Sequence, residues 1–302
     1  MKKLLVLALT TLVFACSSDD DNTQVINNPQ TPGLAYAVSD SDFITTYNSL
    51  REELQLDRDF EIVAEVNHTA NAQSVDKDLR NTRVIIFKNP MVETSLLEEN
   101  QLAGLDIPQK MLVYEDNNNN VFVAYNGTEY LAARYSGVGS ANTLQQIKTE
   151  FSRFAENSTN GIVSQNSSAG ITNNDGIITL VSNNDFNTTY TNLRNAIVDN
   201  PNLLTIAEVN HQTNAPNDSN LNPTRVIIFG NPNLGTPLMK NAQTTGIDLP
   251  QKMLVWEKGD GTVNISYNDP GFLQERHGIS GNDDTLQQIK SALNNLAIDA
   301  AN

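Results

Sequence analysis

The chain contains one cysteine, Cys16, in 302 residues. No intrachain disulfide can form, so a folded part must be held by its core alone. Histidine is almost as scarce. Three occur, none in H-x-x-H or H-E-x-x-H spacing, and no metal site is expected. There is no nucleophile elbow, no phosphate-cradling loop and no dinucleotide fingerprint, so no cofactor is expected. Tryptophan occurs once, at Trp256, in an alternating segment that predicts core or interface packing rather than a sugar-binding platform. Positive charge is short as well. Nineteen Lys and Arg face 35 Asp and Glu, a formal net charge of −16. Such a chain repels phosphates, which excludes nucleic acid as a partner.

What is present begins with "MKKLLVLALTTLVFACSSDDDN". Lys2 and Lys3 precede an apolar run, Leu4 to Ala15, too short to span a bilayer stably. Residues 1–15 read as a signal peptide. Cys16 after the small Ala15 resembles the lipobox of bacterial lipoproteins, which predicts lipid on the Cys16 thiol. The alternatives are an ordinary secretory signal with an incidental cysteine, or a buried core cysteine. Each buried methylene contributes ~0.8 kcal/mol, and stable anchoring needs more than one chain. Asp19, Asp20 and Asp21 resemble the export signal of surface lipoproteins of Bacteroidota, or form a plain acidic tether. The expected address is the outer membrane, lipid-anchored and surface-exposed, with residues 16–32 as an acidic, polar tether.

The rest of the chain repeats itself. "AEVNH" occurs at Ala64–His68 and Ala207–His211, "TRVIIF" at Thr82–Phe87 and Thr224–Phe229, "PQKMLV" at Pro108–Val113 and Pro250–Val255, and "TLQQIK" at Thr143–Lys148 and Thr285–Lys290. So long a period predicts tandem domains rather than a solenoid. The expected domains are 33–156 and 176–302, separated by a flexible Asn/Ser/Gly-rich linker, 157–175.

Each repeat predicts the order β-α-β-β-α-β-β-α, an α+β domain with a mainly antiparallel sheet packed by helices. Phe43, Tyr47, Leu50 and Leu54 form one apolar helix face, with Ser41 or Asn184 as the expected cap. A second helix is expected over 93–102 and 237–244. The last helix presents Leu144, Ile147, Phe151 and Phe154, answered by Leu286, Ile289, Leu293 and Leu296.

The succession "TRVIIFGNPNLGTPLM" and "DLPQKMLVWE" resembles the bacterial family called domain of unknown function 302, over nearly all of each repeat. The resemblance implies compact α+β domains that can pair, here as an intramolecular pseudo-dimer, and brings no established activity. Copy one departs from it. "KNPMVETSLL" lacks the glycines of "GNPNLGTPLM", and "YNGTEYL" stands where copy two has "YNDPGFL".

Alternation places His68 at the end of a row formed by Phe60, Ile62, Ala64 and Val66, and His211 likewise after Val209. One reading is a rim histidine closing the core. The other is a binding or catalytic cluster at the strand end: His211, Asn231 and Lys252 in copy two, His68, Asn89 and Lys110 in copy one. Arg83 and Arg225 are expected to pair with helix acids. The leading expectation is a module that binds a small molecule or a protein. An enzyme using the His/Asn/Lys cluster and an envelope scaffold are the alternatives.

Overall fold

The computed structural model describes residues 26–302; the signal peptide, Cys16 and the start of the tether lie outside the described residues. The first repeat runs β1 (Leu34–Ser39), α1 (Phe43–Leu56), β2 (Glu61–Asn67), α2 (His68–Gln73), β3 (Thr82–Lys88), α3 (Pro90–Glu99), β4 (Gln109–Glu115), β5 (Val121–Asn126), α4 (Thr128–Arg134), α5 (Ala141–Thr159) and β6 (Ser164–Gln165). The second runs β7 (Ile177–Val181), α6 (Phe186–Val198), β8 (Leu204–Asn210), α7 (His211–Asn214), β9 (Thr224–Gly230), α8 (Pro232–Asn241), β10 (Gln251–Glu257), β11 (Val263–Asn268), α9 (Pro270–His277) and α10 (Asp283–Ala301). A 3-10 turn follows α3 and α8, at Gln101–Leu105 and Gln243–Ile247.

The fold is α+β, with antiparallel sheets ordered β2-β3-β4-β5-β1-β6 and β7-β11-β10-β9-β8. Each sheet has two apolar faces. In β3, Ile85 and Phe87 join the helix-covered core, while Val84 and Ile86 join a second cluster with Val226, Ile228 and Leu254 of the other repeat. Helices therefore cover one face of each sheet, and the other faces pack against each other. β-branched residues on both sides of "TRVIIF" suit a strand buried on both faces.

The interface is two-fold in pattern. Gln101 Nε2 donates to Thr224 Oγ1 at 2.8 Å, and Gln243 Nε2 to Thr82 Oγ1 at 2.7 Å. Arg134 bonds Asp106 of its own repeat and Asn268 of the other, at 2.9 and 2.8 Å. Arg276 bonds Asp248 and Asn126, at 2.8 and 2.7 Å. Both guanidiniums are buried. Buried Arg–carboxylate pairs are tolerable when the remaining donors are also used, as they are here.

Several local expectations change. The helices expected over 93–102 and 237–244 start earlier, at Pro90 and Pro232, because Asn89 and Asn231 cap them and proline suits the first turn. Asp42 and Asp185, not Ser41 and Asn184, cap α1 and α6, their carboxylates accepting from the free N–H groups of the first turn. The short helices α2, α4, α7 and α9 add to the expected order. Arg83 lies over the rings of Phe43 and Tyr47, and Arg225 over Phe186 and Tyr190, instead of pairing with helix acids.

The segment read as a flexible linker is tied down along its length. Residues 157–159 finish α5, Ser164–Gln165 pair with β1, and Asp175 O accepts from Arg134. Asn166 holds the tether's end through Pro29 O and Thr31 O.

Candidate functional site

Strand β2 carries a bulge between Ile62 and Ala64, and β8 carries one between Thr205 and Ala207. A bulge adds one residue and reverses the faces beyond it. Phe60 and Ile62 pack into their own helix-covered core, whereas Ala64 and Val66 face the other repeat. Simple alternation therefore misplaces His68: it follows Val66 across the interface. Glu65 turns to the helix side, where Tyr47 and Arg51 donate to it.

His68 opens α2, with Asn67 as its cap, and is 5% exposed. It lines a cavity of about 80 Å³ in the second repeat, with Asn231, Gly235, Thr236 and Gln251 around it. Apart from Asn71, the remaining wall is apolar and includes Leu203, Leu204, Phe229, Ile289, Leu293 and Leu296. Burial drives the His68 pKa down to about 3, the Lys110 charge adds to this, and a hydrogen bond with the Gly246 backbone opposes it. The ring is neutral at physiological pH. His68 Nε2, Thr236 Oγ1 and Gln251 Nε2 are buried without a partner.

The equivalent place in the first repeat is nearly closed, with about 10 Å³ left. Phe60 and Phe151 fill space that Leu203 and Leu293 leave open, and Glu93 stands where the second repeat has Gly235. Phe154, the counterpart of Leu296, packs edge-on to Phe60. His211 comes across from the second repeat, its Nδ1 3.8 Å from Glu93 Oε2. Burial pushes Glu93 up to about 8, against the opposing pull of Lys252, Lys88 and a hydrogen bond from the Gln109 backbone. Burial lowers His211 to about 3, helped by Lys252 and Lys88. At neutral pH this is an uncharged carboxyl beside an uncharged imidazole, too far apart for a hydrogen bond.

The expected His/Asn/Lys trios of single repeats do not assemble. The histidines exchange: His68 joins Asn231 on the second repeat's cavity, and His211 joins the first repeat's site, where Asn89 lines the small cavity. Asn89 and Asn231 also accept from backbone N–H groups as helix caps. Lys110 Nζ donates to the carbonyls of Leu249 and Pro250 at 3.1 and 3.3 Å, and Lys252 Nζ to Pro108 O at 3.0 Å. Burial lowers Lys252 to about 8 and Lys110 well below the usual lysine range.

Sequence reasoning missed the third histidine. His277 lies where copy one has Tyr135, with Nε2 2.7 Å from Asp248 and Nδ1 2.9 Å from Thr244 Oγ1. It missed Arg134 and Arg276 too, although each sits at the same point of the repeat. The shared "R-[YH]" ending of α4 and α9 was the available signal. Among the described residues, no group of three or more His, Cys, Asp and Glu side chains could hold a metal ion. No helix among them is long and apolar enough to cross a membrane.

Comparison with known proteins assigns the class of these two repeats. The family model "Domain of unknown function DUF302" matches residues 35–157 and 178–296. This chain belongs to that family and carries it as a tandem pair. It is also 51% identical over 59 residues to fluoride-specific ion channel FluC 1 of Brucella suis biovar 1 and of Brucella abortus biovar 1, and to FluC 2 of Brucella melitensis. Those matches span 20% of this chain and 22–23% of the relatives, so it covers under a quarter of their length. A crystal structure of an uncharacterized DUF302 protein from Bacillus stearothermophilus matches at 15% identity and a TM-score of 0.36, over 42% of this chain and 99% of that one.

Proposed function

We propose that this protein is a lipid-anchored envelope module that binds a small molecule in the cavity of its second repeat. One observation carries the reading: two equivalent places in one chain differ, one closed by aromatic rings and Glu93, the other left as an apolar cavity of about 80 Å³. Protein interiors are close-packed and leave few voids larger than a water molecule. The partnerless Nε2 atoms of His68 and Gln251 recur at His211 and Gln109 in the closed site, so it is the void, with the partnerless Thr236 Oγ1 beside it, that a bound molecule would answer. The engagement of Lys110, Lys252, Asn89 and Asn231 with backbone groups favours binding over acid–base chemistry.

In this reading the repeats pair within one chain, and Cys16 carries the lipid that fixes the module to the outer membrane, facing outward. The acidic stretch after Cys16 and the apolar run before it support the address.

The test is a melting screen of the full chain against small metabolites, beside a variant with Leu293→Phe and Leu296→Phe. A ligand at about 100 Kd should add ~2.7 kcal/mol to wild type. Stabilisation that persists in the filled variant would place binding elsewhere. Cys16→Ala should move the protein from the membrane to the soluble fraction; unchanged membrane association would remove the anchor.

A further inference from the structure

Resting on that reading, we infer that the second repeat's cavity takes a short-chain carboxylic acid in its protonated, uncharged form, seated where the Glu93 side chain sits in the first repeat. Glu93 and Gly235 hold the same place in "NPMVETSLL" and "NPNLGTPLM", on α3 and α8. The glutamate side chain is itself a propionic acid unit. In the first repeat it is buried beside His211, with the Gln109 backbone hydrogen-bonded to it. The first repeat thus contains a tethered version of such an acid in its own site.

The second repeat keeps the surroundings and lacks the acid. His68, Gln251 and Asn231 are the counterparts of His211, Gln109 and Asn89, and all three line the cavity. A Cβ added at Gly235 would meet Leu249 Cδ1 at 3.4 Å and Met239 Cε at 3.9 Å, ordinary contacts, so a chain leaving this point has room. The partnerless Nε2 of His68, Oγ1 of Thr236 and Nε2 of Gln251 offer a carboxyl head both an acceptor and donors.

Charge selects the protonated form. His68, on α2, is the one titratable side chain lining the cavity. Lys110, on β4, acts electrostatically on His68, does not line the cavity, and is already committed to two carbonyls. Where Lys88 of β3 faces Glu93, β9 has Gly230, and where Glu150 of α5 lines the first site, α10 has Ala292. A carboxylate here would lack the compensation of Lys88, while the absence of Glu150 removes a repulsion and works the other way; burial decides, as it does for Glu93, which stays protonated to about pH 8.

The test is calorimetric titration of the full chain with butyric acid, butyramide and butanol at pH 5 and pH 7.5. His68 is neutral at both. Butyramide should bind alike at the two pH values. Butyric acid should bind at pH 5 and weaken roughly two- to three-hundredfold by pH 7.5, the change in neutral fraction of an ordinary carboxyl. Gly235→Glu should abolish binding of both by supplying the missing side chain, and Leu293→Phe, a residue copy one already carries in that place, should weaken it if the glutamate variant folds poorly. Equal or tighter butyric acid binding at pH 7.5, or binding of butanol alone, would overturn the protonated-acid assignment and leave the cavity as a binding site. Binding of none of the three would overturn the short-chain acid assignment, and binding unaffected by both variants would place it outside the cavity and overturn the binding-site reading itself.

Discussion

His211 Nδ1 lies 3.8 Å from Glu93 Oε2 across the repeat interface, and neither group is charged at neutral pH. The contact has the composition of a salt bridge without being one, because burial moves the two pKa values in opposite directions. Glu93 is raised to about 8 from an ordinary 4.5. Between those values the unfolded chain releases a proton that the folded chain keeps, so stability falls as pH rises from about 4.5 to about 8, by at most ~1.4 kcal/mol per unit. His211 is depressed to about 3, so its contribution is lost as pH falls from about 6.5 towards 3. Glu93→Gln should therefore gain stability relative to wild type between pH 5 and pH 8. Urea unfolding at both values decides it; parallel pH profiles would show that Glu93 ionises freely in the fold.

The two sites should respond unequally to truncation. Phe154 is fully buried and touches Phe60 and Phe87 edge-on. Phe154→Ala should cost about 3–5 kcal/mol, the usual loss for an aromatic core residue. Leu296, its counterpart, is only partly buried and borders an existing cavity, so Leu296→Ala should cost well under 2 kcal/mol. Equal losses in chemical denaturation would mean that the second cavity is packed as tightly as the first.

Much of the architecture was legible in the sequence. The repeats and the apolar faces of α1 and α5 follow from period and spacing, and "TRVIIF" has the β-branched, mostly apolar composition of the inner strand it forms in both sheets. The site was legible only in parts. The bulge after Ile62 reverses the pattern that alternation projects onto His68, and no periodicity within one repeat reveals that its histidine serves the other. The exchange of Glu93 for Gly235 was visible as a missing glycine. Its meaning, a filled place against an empty one, needs the positions of Phe60 and Phe151 as well.

Arg134 and Arg276 link the repeats through geometry as much as charge. Each spans a carboxylate in its own repeat, an asparagine in the other and a backbone carbonyl: Asp175 O for Arg134 and Pro32 O for Arg276. Lysine keeps the charge but lacks the planar fork. Arg134→Lys should therefore lose contacts on both sides of the interface, and Arg134→Ala would leave Asp106 buried without its cation. Breaking one partner of such a pair costs about 3–5 kcal/mol. Because the network joins both sheets, the loss should fall on one cooperative transition. If calorimetry instead showed the first repeat melting early while the second kept its wild-type melting temperature, the repeats would be folding independently, and the shared arginines would be ornaments of the interface rather than its fastening.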